Sequence, residues 1–63
     1  MNEFKAATDR QLALCLRMLF SEKLQGHVRT MQNEQGKIEF RISVPVDEQR
    51  YAELKERYEL LIS

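Results

Sequence analysis

The sequence predicts an α+β domain, a two-layer sandwich of the order (β)αββα, in which two helices pack on one face of a small antiparallel sheet built on a β-hairpin. Residues 37–44 alternate between polar and apolar side chains, which is the period of a strand with one buried face. A turn sequence ending in Gly36 precedes this strand, and apolar residues recur at helical spacing on both sides of the hairpin. These three observations define the fold class.

The chain is expected to be a single domain, residues 1–63, because its length suffices for only one small core. Residues 1–7 are expected to be either a short edge strand or disordered, since Phe4 alternates only weakly with its polar neighbours. If the strand forms, the right-handed crossover rule makes it parallel to the second strand and places it beside the third. The second strand would then be an open edge, with Arg29 as its only charged residue.

The first helix is predicted to begin at an N-cap formed by Thr8 or Asp9. Thr8 and Gln11 have the spacing of a capping box, in which each side chain accepts a hydrogen bond from the other residue's backbone N–H. The helix is predicted to run to about Gln25 and to stop at Gly26, because glycine tolerates the left-handed conformation of a helix C-terminus.

Two apolar patches are predicted on this helix. The larger one should cover the hairpin and comprises Leu12, Cys15, Leu16, Leu19 and Phe20, widened by Ala13 and Leu24. Leu14 and Met18 stand four residues apart among polar residues and form a second, smaller patch. Because this smaller patch has no partner within the predicted fold, it is a candidate contact with another protein.

The register of the hairpin follows from the parity of its apolar residues. Val28 joins the inner face only if it lies opposite Ile42. Thr30 then lies opposite Phe40. This register leaves a three-residue loop whose third position requires a left-handed residue in a G1 bulge, and Gly36 occupies it.

The outer face of the hairpin is mildly basic in this register. Arg29 lies directly opposite Arg41, a like-charge pair that is mildly destabilising. Met31 belongs to the same face. The arginine pair, Met31 and the open edge are therefore a second candidate contact with another protein, alternative to the Leu14 and Met18 patch.

The second helix is predicted to follow Pro45, which ends the strand because it cannot donate to the ladder. Asp47 is the expected N-cap, flanked by Val46 and Tyr51 in the positions of a hydrophobic staple. An inward stripe continues along the helix and comprises Tyr51, Leu54, Tyr58, Leu61 and Ile62. The opposite, charged face is expected to be solvated.

The composition argues against several classes of function. Ten basic and ten acidic side chains cancel, which disfavours a non-specific polyanion binder. Cys15 is the only cysteine, so no internal disulfide is expected, and together with the lone His27 it makes no zinc site. With neither an apolar run of about 18 residues nor a signal-peptide pattern, no membrane span is expected and the protein is predicted to be cytoplasmic.

No catalytic, metal or cofactor site is predicted, and the protein is expected not to be an enzyme. Cys15 lacks a neighbouring base and is expected to be a small buried hydrophobe. The acidic residues occupy exposed helical positions without a histidine or thiol beside them, so acid–base catalysis has no support.

Three functions remain open. The favoured one is a non-enzymatic protein-interaction or regulatory module, whose partner is another protein or a second copy in a homodimer. The candidate contact residues are Arg29, Met31, Arg41, Leu14 and Met18. The alternative is a nucleic-acid binder that uses the basic outer face of the sheet, although stacking aromatics are missing there. A small-molecule sensor with a pocket between helices and sheet ranks last, because no set of convergent polar residues supports it.

The pattern of elements also carries a resemblance. A short N-terminal strand, a helix, a hairpin and then an acidic helix start in the segment VPVDEQRYAELKERYELL, residues 44–61, resemble the small signal-transducing domains of bacteria and the cytoplasmic N-terminal domain of rhomboid proteases. The resemblance covers nearly the whole chain and implies a small regulatory or interaction module. These families offer no catalytic motif to transfer, and the chain lacks the rhomboid membrane segments, so protease activity is not implied.

Overall fold

Three strands and two helices alternate in the predicted order, βαββα. The computed structural model describes residues 2–63, and its elements are β1 (Asn2–Ala6), α1 (Asp9–Ser21), β2 (His27–Gln32), β3 (Ile38–Val44) and α2 (Glu48–Ile62). The N-terminal segment thus forms a strand, which is the first of the two alternatives predicted for residues 1–7. Met1, which belongs to that prediction, lies outside the described residues.

The sheet has the predicted topology, with β3 in the centre and the order β1-β3-β2. Both outer strands are antiparallel to β3 and therefore parallel to each other, as the right-handed crossover requires. Val28 lies opposite Ile42, and Thr30 lies opposite Phe40, so the predicted hairpin register is confirmed. Phe40 packs against the core from the inner face, which confirms the assignment of the two faces.

The hairpin turn follows the predicted geometry, with Gly36 at φ +78°. The N–H of Gly36 donates to the carbonyl of Asn33 at 3.0 Å, and the N–H of Asn33 donates to the carbonyl of Lys37 at 2.9 Å. The side-chain carbonyl of Asn33 also accepts hydrogen bonds from the N–H groups of Gln35 and Lys37. Asn33 therefore orders the loop that Gly36 makes possible.

The N-terminus of α1 is capped by Thr8, whose Oγ1 accepts a hydrogen bond from the N–H of Gln11 at 3.1 Å. The return bond of the predicted capping box differs, because Gln11 Oε1 accepts from the N–H of Ala7, at 2.9 Å, instead of from Thr8. At α2, Asp47 is the N-cap as predicted and accepts from the N–H of Arg50 at 2.8 Å.

The C-terminus of α1 lies earlier than predicted, because the helix ends at Ser21 and not near Gln25. The N–H of Leu24 donates to the carbonyl of Leu19 at 2.9 Å, and the N–H of Lys23 donates to the carbonyl of Phe20 at 3.0 Å. This pair of bonds is a Schellman motif, which requires a left-handed residue at its centre. Lys23, at φ 58°, takes that conformation in place of the expected glycine.

Gly26 has a packing role instead of ending the helix. A Cβ atom at this position would lie 2.4 Å from Cγ2 of Ile42 and 3.0 Å from Cδ1 of Leu19. Because both neighbours are fully buried, the chain can pass over β3 at this point only without a side chain.

The core lies between the inner face of the sheet and both helices. Its buried members are Phe4, Ala6, Cys15, Met18, Leu19, Ile42, Val44, Leu54 and Tyr58. Three predictions of burial were wrong, because Phe20 is 82% exposed, Ala13 is exposed and Met18 is buried. The reason is that α1 packs against α2 as well as against β1, so a second face of the helix is covered. Phe20 lies about 140° around the helix from Cys15 and points away from both neighbours.

The end of α2 also differs from the predicted stripe. Leu61 is exposed, whereas Ile62 packs against the core. Ile62 follows Tyr51 by eleven positions, which is about three turns of 3.6 residues, so Ile62 stays on the inward side.

Candidate protein-interaction site

One edge of the sheet is closed by α2. The hydroxyl of Tyr51 donates to the carbonyl of Glu3 at 2.7 Å, and the hydroxyl of Tyr58 donates to the carbonyl of Lys5 at 2.8 Å. Both rings also pack on Phe4, with centroid separations of 5.2 and 5.6 Å. The outward carbonyls of Glu3 and Lys5 are therefore occupied, which disfavours the addition of a further strand at the edge of β1.

The other edge, along β2, is open. The hydrogen bond from Asn33 to Lys37 fixes the alternation of the ladder, in which every second residue of β2 faces β3. The backbone N–H and C=O groups of Val28, Thr30 and Gln32 therefore point away from the sheet. All six residues of β2 are exposed. In residues 2–63, no side chain and no other element supplies a hydrogen bond to these backbone groups.

The inner face beside this edge is apolar and uncovered. The helices pack against β1 and against each other, which leaves Val28 37% exposed and Ile38 57% exposed. Phe20, at the end of α1, lines a shallow depression of about 300 Å³ together with Leu24 and Gly26. We call the open edge of β2, together with the exposed side chains of Val28 and Ile38, the β2 surface. It combines unpaired backbone groups with adjoining apolar side chains.

The outer face carries the predicted pair of arginines, and the structure adds two carboxylates to it. Arg29 and Arg41 lie opposite each other as predicted. Nη2 of Arg29 lies 2.5 Å from Oε2 of Glu3, and Nε of Arg41 lies 2.7 Å from Oε2 of Glu39. Oε1 of Glu3 also lies 3.6 Å from Nη1 of Arg41, and the hydroxyl of Ser43 donates a hydrogen bond to Oε2 of Glu3. The like-charge opposition is thereby compensated.

This pairing changes the electrostatics of the outer face. The hydrogen bond from Arg29 lowers the pKa of Glu3 below 4.5, and the hydrogen bond to Glu39 raises the pKa of Arg41. Both arginines are thus held by carboxylates, and the face is a charge-balanced network instead of a basic patch. The sequence did not predict the contacts of Glu3, because they depend on the position of β1, which the sequence left open.

The candidate contact residues from the sequence are divided by the structure. Met31 is 41% exposed and lies on β2 with Arg29, next to the open edge. Met18 is only 3% exposed, so the predicted patch of Leu14 and Met18 was wrong as a contact surface. Leu14 is left half-buried without its neighbour. The apolar members of the β2 surface were missed because the helix stripe was expected to cover the hairpin.

Chain comparisons give no relative from which a function could be transferred. A scan against protein-family models, a search of curated proteins and a search of solved structures each found no match. The function is therefore inferred from the geometry of the chain's own residues.

Among the described residues, the chemically reactive groups lie apart from one another. Cys15 lies in the core, where burial raises the pKa of its thiol to about 11. Within residues 2–63, no group of three or more His, Cys, Asp or Glu side chains converges to hold a metal ion. No helix in this part of the chain has the length and apolar character needed to cross a membrane.

Proposed function

We propose that this chain is a non-enzymatic protein-interaction module that binds its partner through the β2 surface. The observation that carries the proposal is the difference between the two sheet edges. Tyr51 and Tyr58 occupy the outward carbonyls of β1, whereas among residues 2–63 the edge of β2 has neither a covering element nor a proline or bulge to block it. A partner strand would form backbone hydrogen bonds with the outward N–H and C=O groups of Val28, Thr30 and Gln32.

Strand addition at such an edge provides both affinity and selectivity. Backbone hydrogen bonds supply part of the binding free energy, and alternate side chains of the added strand meet the face beside it. Val28 and Ile38 lie on that face and remain partly exposed. A bound strand with apolar residues at every second position would cover them and bury apolar area.

The proposal includes a cytoplasmic location, which suits a chain with one unpaired and buried cysteine. It is in keeping with the resemblance to small signal-transducing domains, which implies an interaction module. No specific observation favours nucleic-acid binding, because Glu3 and Glu39 hold the two arginines of the outer face.

The test uses a pair of substitutions at Thr30, whose N–H points to the open edge. Thr30→Pro removes this donor without removing a bond of the β2–β3 ladder, whereas Thr30→Ala keeps the donor and changes the side chain only. Immobilised wild-type chain and Thr30→Ala should retain the same partner from an extract of the native cell. Thr30→Pro should lose it, and circular dichroism verifies that each variant is folded.

Equal retention by the proline variant would contradict the proposal. Loss of binding in a double variant of Arg29→Ala and Arg41→Ala, with strong dependence on salt and normal binding by Thr30→Pro, would identify the outer face as a nucleic-acid site instead.

A further inference from the structure

We infer that the occupant of the β2 surface is a second copy of this chain. Two β2 strands would pair antiparallel about a two-fold axis at Thr30 and join both sheets into one, with all helices on the same side. This inference rests on the proposed function and names the partner. Two features of the edge select this arrangement: its hydrogen-bond phase and its charges.

The hydrogen-bond phase restricts which residue can lie on the axis. Residues directly opposite in antiparallel strands point to the same side, so an axis that keeps the helices on one face must pass through a residue position. With Thr30 on the axis, Thr30 pairs with Thr30 of the second copy. Val28 of each copy pairs with Gln32 of the other. These are the residues of β2 whose N–H and C=O groups point outward. Every outward group then obtains a partner.

The neighbouring registers use fewer of these groups. With Arg29 on the axis, only Val28 and Thr30 pair with each other, and the outward groups of Gln32 lose their partners. With Met31 on the axis, Thr30 pairs with Gln32, and Val28 is left unpaired. The Thr30 register is therefore the one that uses the edge completely.

The charges of the outer face select the same register. Lys5, Arg41 and Arg29 lie in one row across the sheet. An axis at Arg29 would place the Arg29 side chains of the two copies directly opposite each other, a like-charge contact that the ion pairs with Glu3 compensate only in part. With Thr30 on the axis, the row continues instead into Met31 of the second copy and then into Glu39 of the second copy, which lies opposite Met31. Opposite charges thus follow each other across the junction.

An axis at Met31 is also disfavoured by charge. Arg29 would then lie opposite Asn33 of the second copy, whose neighbour across the hairpin is Lys37. In that register the second copy would add Lys37 to the row and no carboxylate. Charge complementarity and the hydrogen-bond phase therefore agree on Thr30.

In this arrangement the inner faces of the two copies adjoin at Val28, Thr30 and Gln32. On the inner side, Phe40 and Thr30 of one copy are followed by Thr30 and Phe40 of the other. Val28 lies next to Gln32 of the second copy, whose neighbour on β3 is Ile38. The exposed part of Val28, which lies on β2 itself, would be covered at the junction. The chain has no net charge, so two copies do not repel each other overall.

Thr30 on the axis allows a charge-swap experiment with the full chain. The side chain of Thr30 would face its own counterpart, so Thr30→Glu and Thr30→Lys each bring two like charges together. Sedimentation equilibrium from about 1 to 200 µM should show a dimer for the wild-type chain and at least a tenfold weaker dimer for each variant alone. An equimolar mixture of the two variants should restore the dimer, because the opposed charges then attract.

Ala52 provides the matched control, since it is exposed on α2 and away from β2. Ala52→Glu and Ala52→Lys should dimerise like the wild-type chain. Restoration in the mixture also shows that both Thr30 variants are folded, so a loss of dimer through unfolding is recognised.

The outcomes separate this inference from the proposed function. A wild-type chain that is monomeric over the whole range overturns the inference, and so does a dimer that neither Thr30 variant weakens or that the mixture does not restore. If the wild-type chain is a monomer but captures a different protein from the extract, and Thr30→Pro fails to capture that protein, the proposed function is retained and that protein is the occupant of the edge. If Thr30→Pro binds its partner normally and the wild-type chain forms no dimer, the proposed function and this inference are both refuted.

Discussion

Removal of the hydroxyl groups of Tyr51 and Tyr58 should destabilise the fold by uncapping the edge of β1. Each hydroxyl donates to an outward carbonyl, of Glu3 and of Lys5 respectively. Substitution by phenylalanine retains both rings and their contacts with Phe4. The change therefore isolates the hydrogen bond from the aromatic packing.

The expected magnitude follows from burial. A neutral hydrogen bond contributes about 0.5–1.5 kcal/mol net, and the cost is highest where the remaining acceptor is shielded from water. Tyr58 is 4% exposed, so Tyr58→Phe should cost about 1.5 kcal/mol at the upper end of this range. Tyr51 is half-buried, and water can replace part of its bond, so Tyr51→Phe should cost about 1 kcal/mol or less.

Thermal unfolding followed by circular dichroism measures the effect. For a domain of this size about 1 kcal/mol corresponds to 4–8 °C, so the Tm should fall by about 6–12 °C for Tyr58→Phe and by about 4–8 °C or less for Tyr51→Phe. All chains are compared at one concentration, because a dimer makes the Tm depend on concentration. An unchanged Tm for Tyr58→Phe, or a larger fall for Tyr51→Phe, would refute the reasoning from burial.

Three further predictions concern single positions. Gly26→Ala should lower the free energy of unfolding in urea by about 1–3 kcal/mol, because the new Cβ overlaps Ile42; a neutral effect would show that the chain yields at this point. The thiol of Cys15 should react with a disulfide reagent on the order of a hundredfold more slowly in the native chain than in denaturant, because its raised pKa and burial suppress the thiolate, and equal rates would contradict this. Glu3→Gln should destabilise the chain at pH 7, since Arg29 lowers the pKa of Glu3 in the native state. A lowered native pKa gives stability that is present above the unfolded pKa and lost as the pH falls through the native one, so the difference from wild type in urea unfolding should decline below pH 4.5; a difference that persists in acid would exclude the ion pair as its source.

Part of the candidate site was predictable from the sequence. The hairpin register places Arg29 opposite Arg41 and leaves β2 at an edge, and both results depend only on parity and on the crossover rule. The apolar half of the site was not predictable. Helical periodicity assigns Phe20 and Met18 to a face, but the position of α2 decides which face is buried.

The sequence by itself determined most of the local structure: the N-cap at Asp47, the turn at Gly36, the alternation that directs Phe40 inward, and an N-cap of α1 at either Thr8 or Asp9, of which Thr8 is observed. Each depends on residues within one turn or strand, so the chain needs no distant contact to specify it. The end of α1 at Ser21 was decided otherwise, because the following residues form a Schellman motif and the chain then crosses β3 in close contact.

Only the tertiary structure decided that α2 covers the edge of β1. Tyr51 and Tyr58 meet carbonyls of β1 that lie 48 and 53 residues earlier in the chain, and Glu3 meets Arg29 across 26 residues. Periodicity places such side chains on a face but does not specify a partner from another element. That partner depends on how the helices pack on the sheet. In this packing, the burial of apolar area outweighs the local conformational preference of single residues.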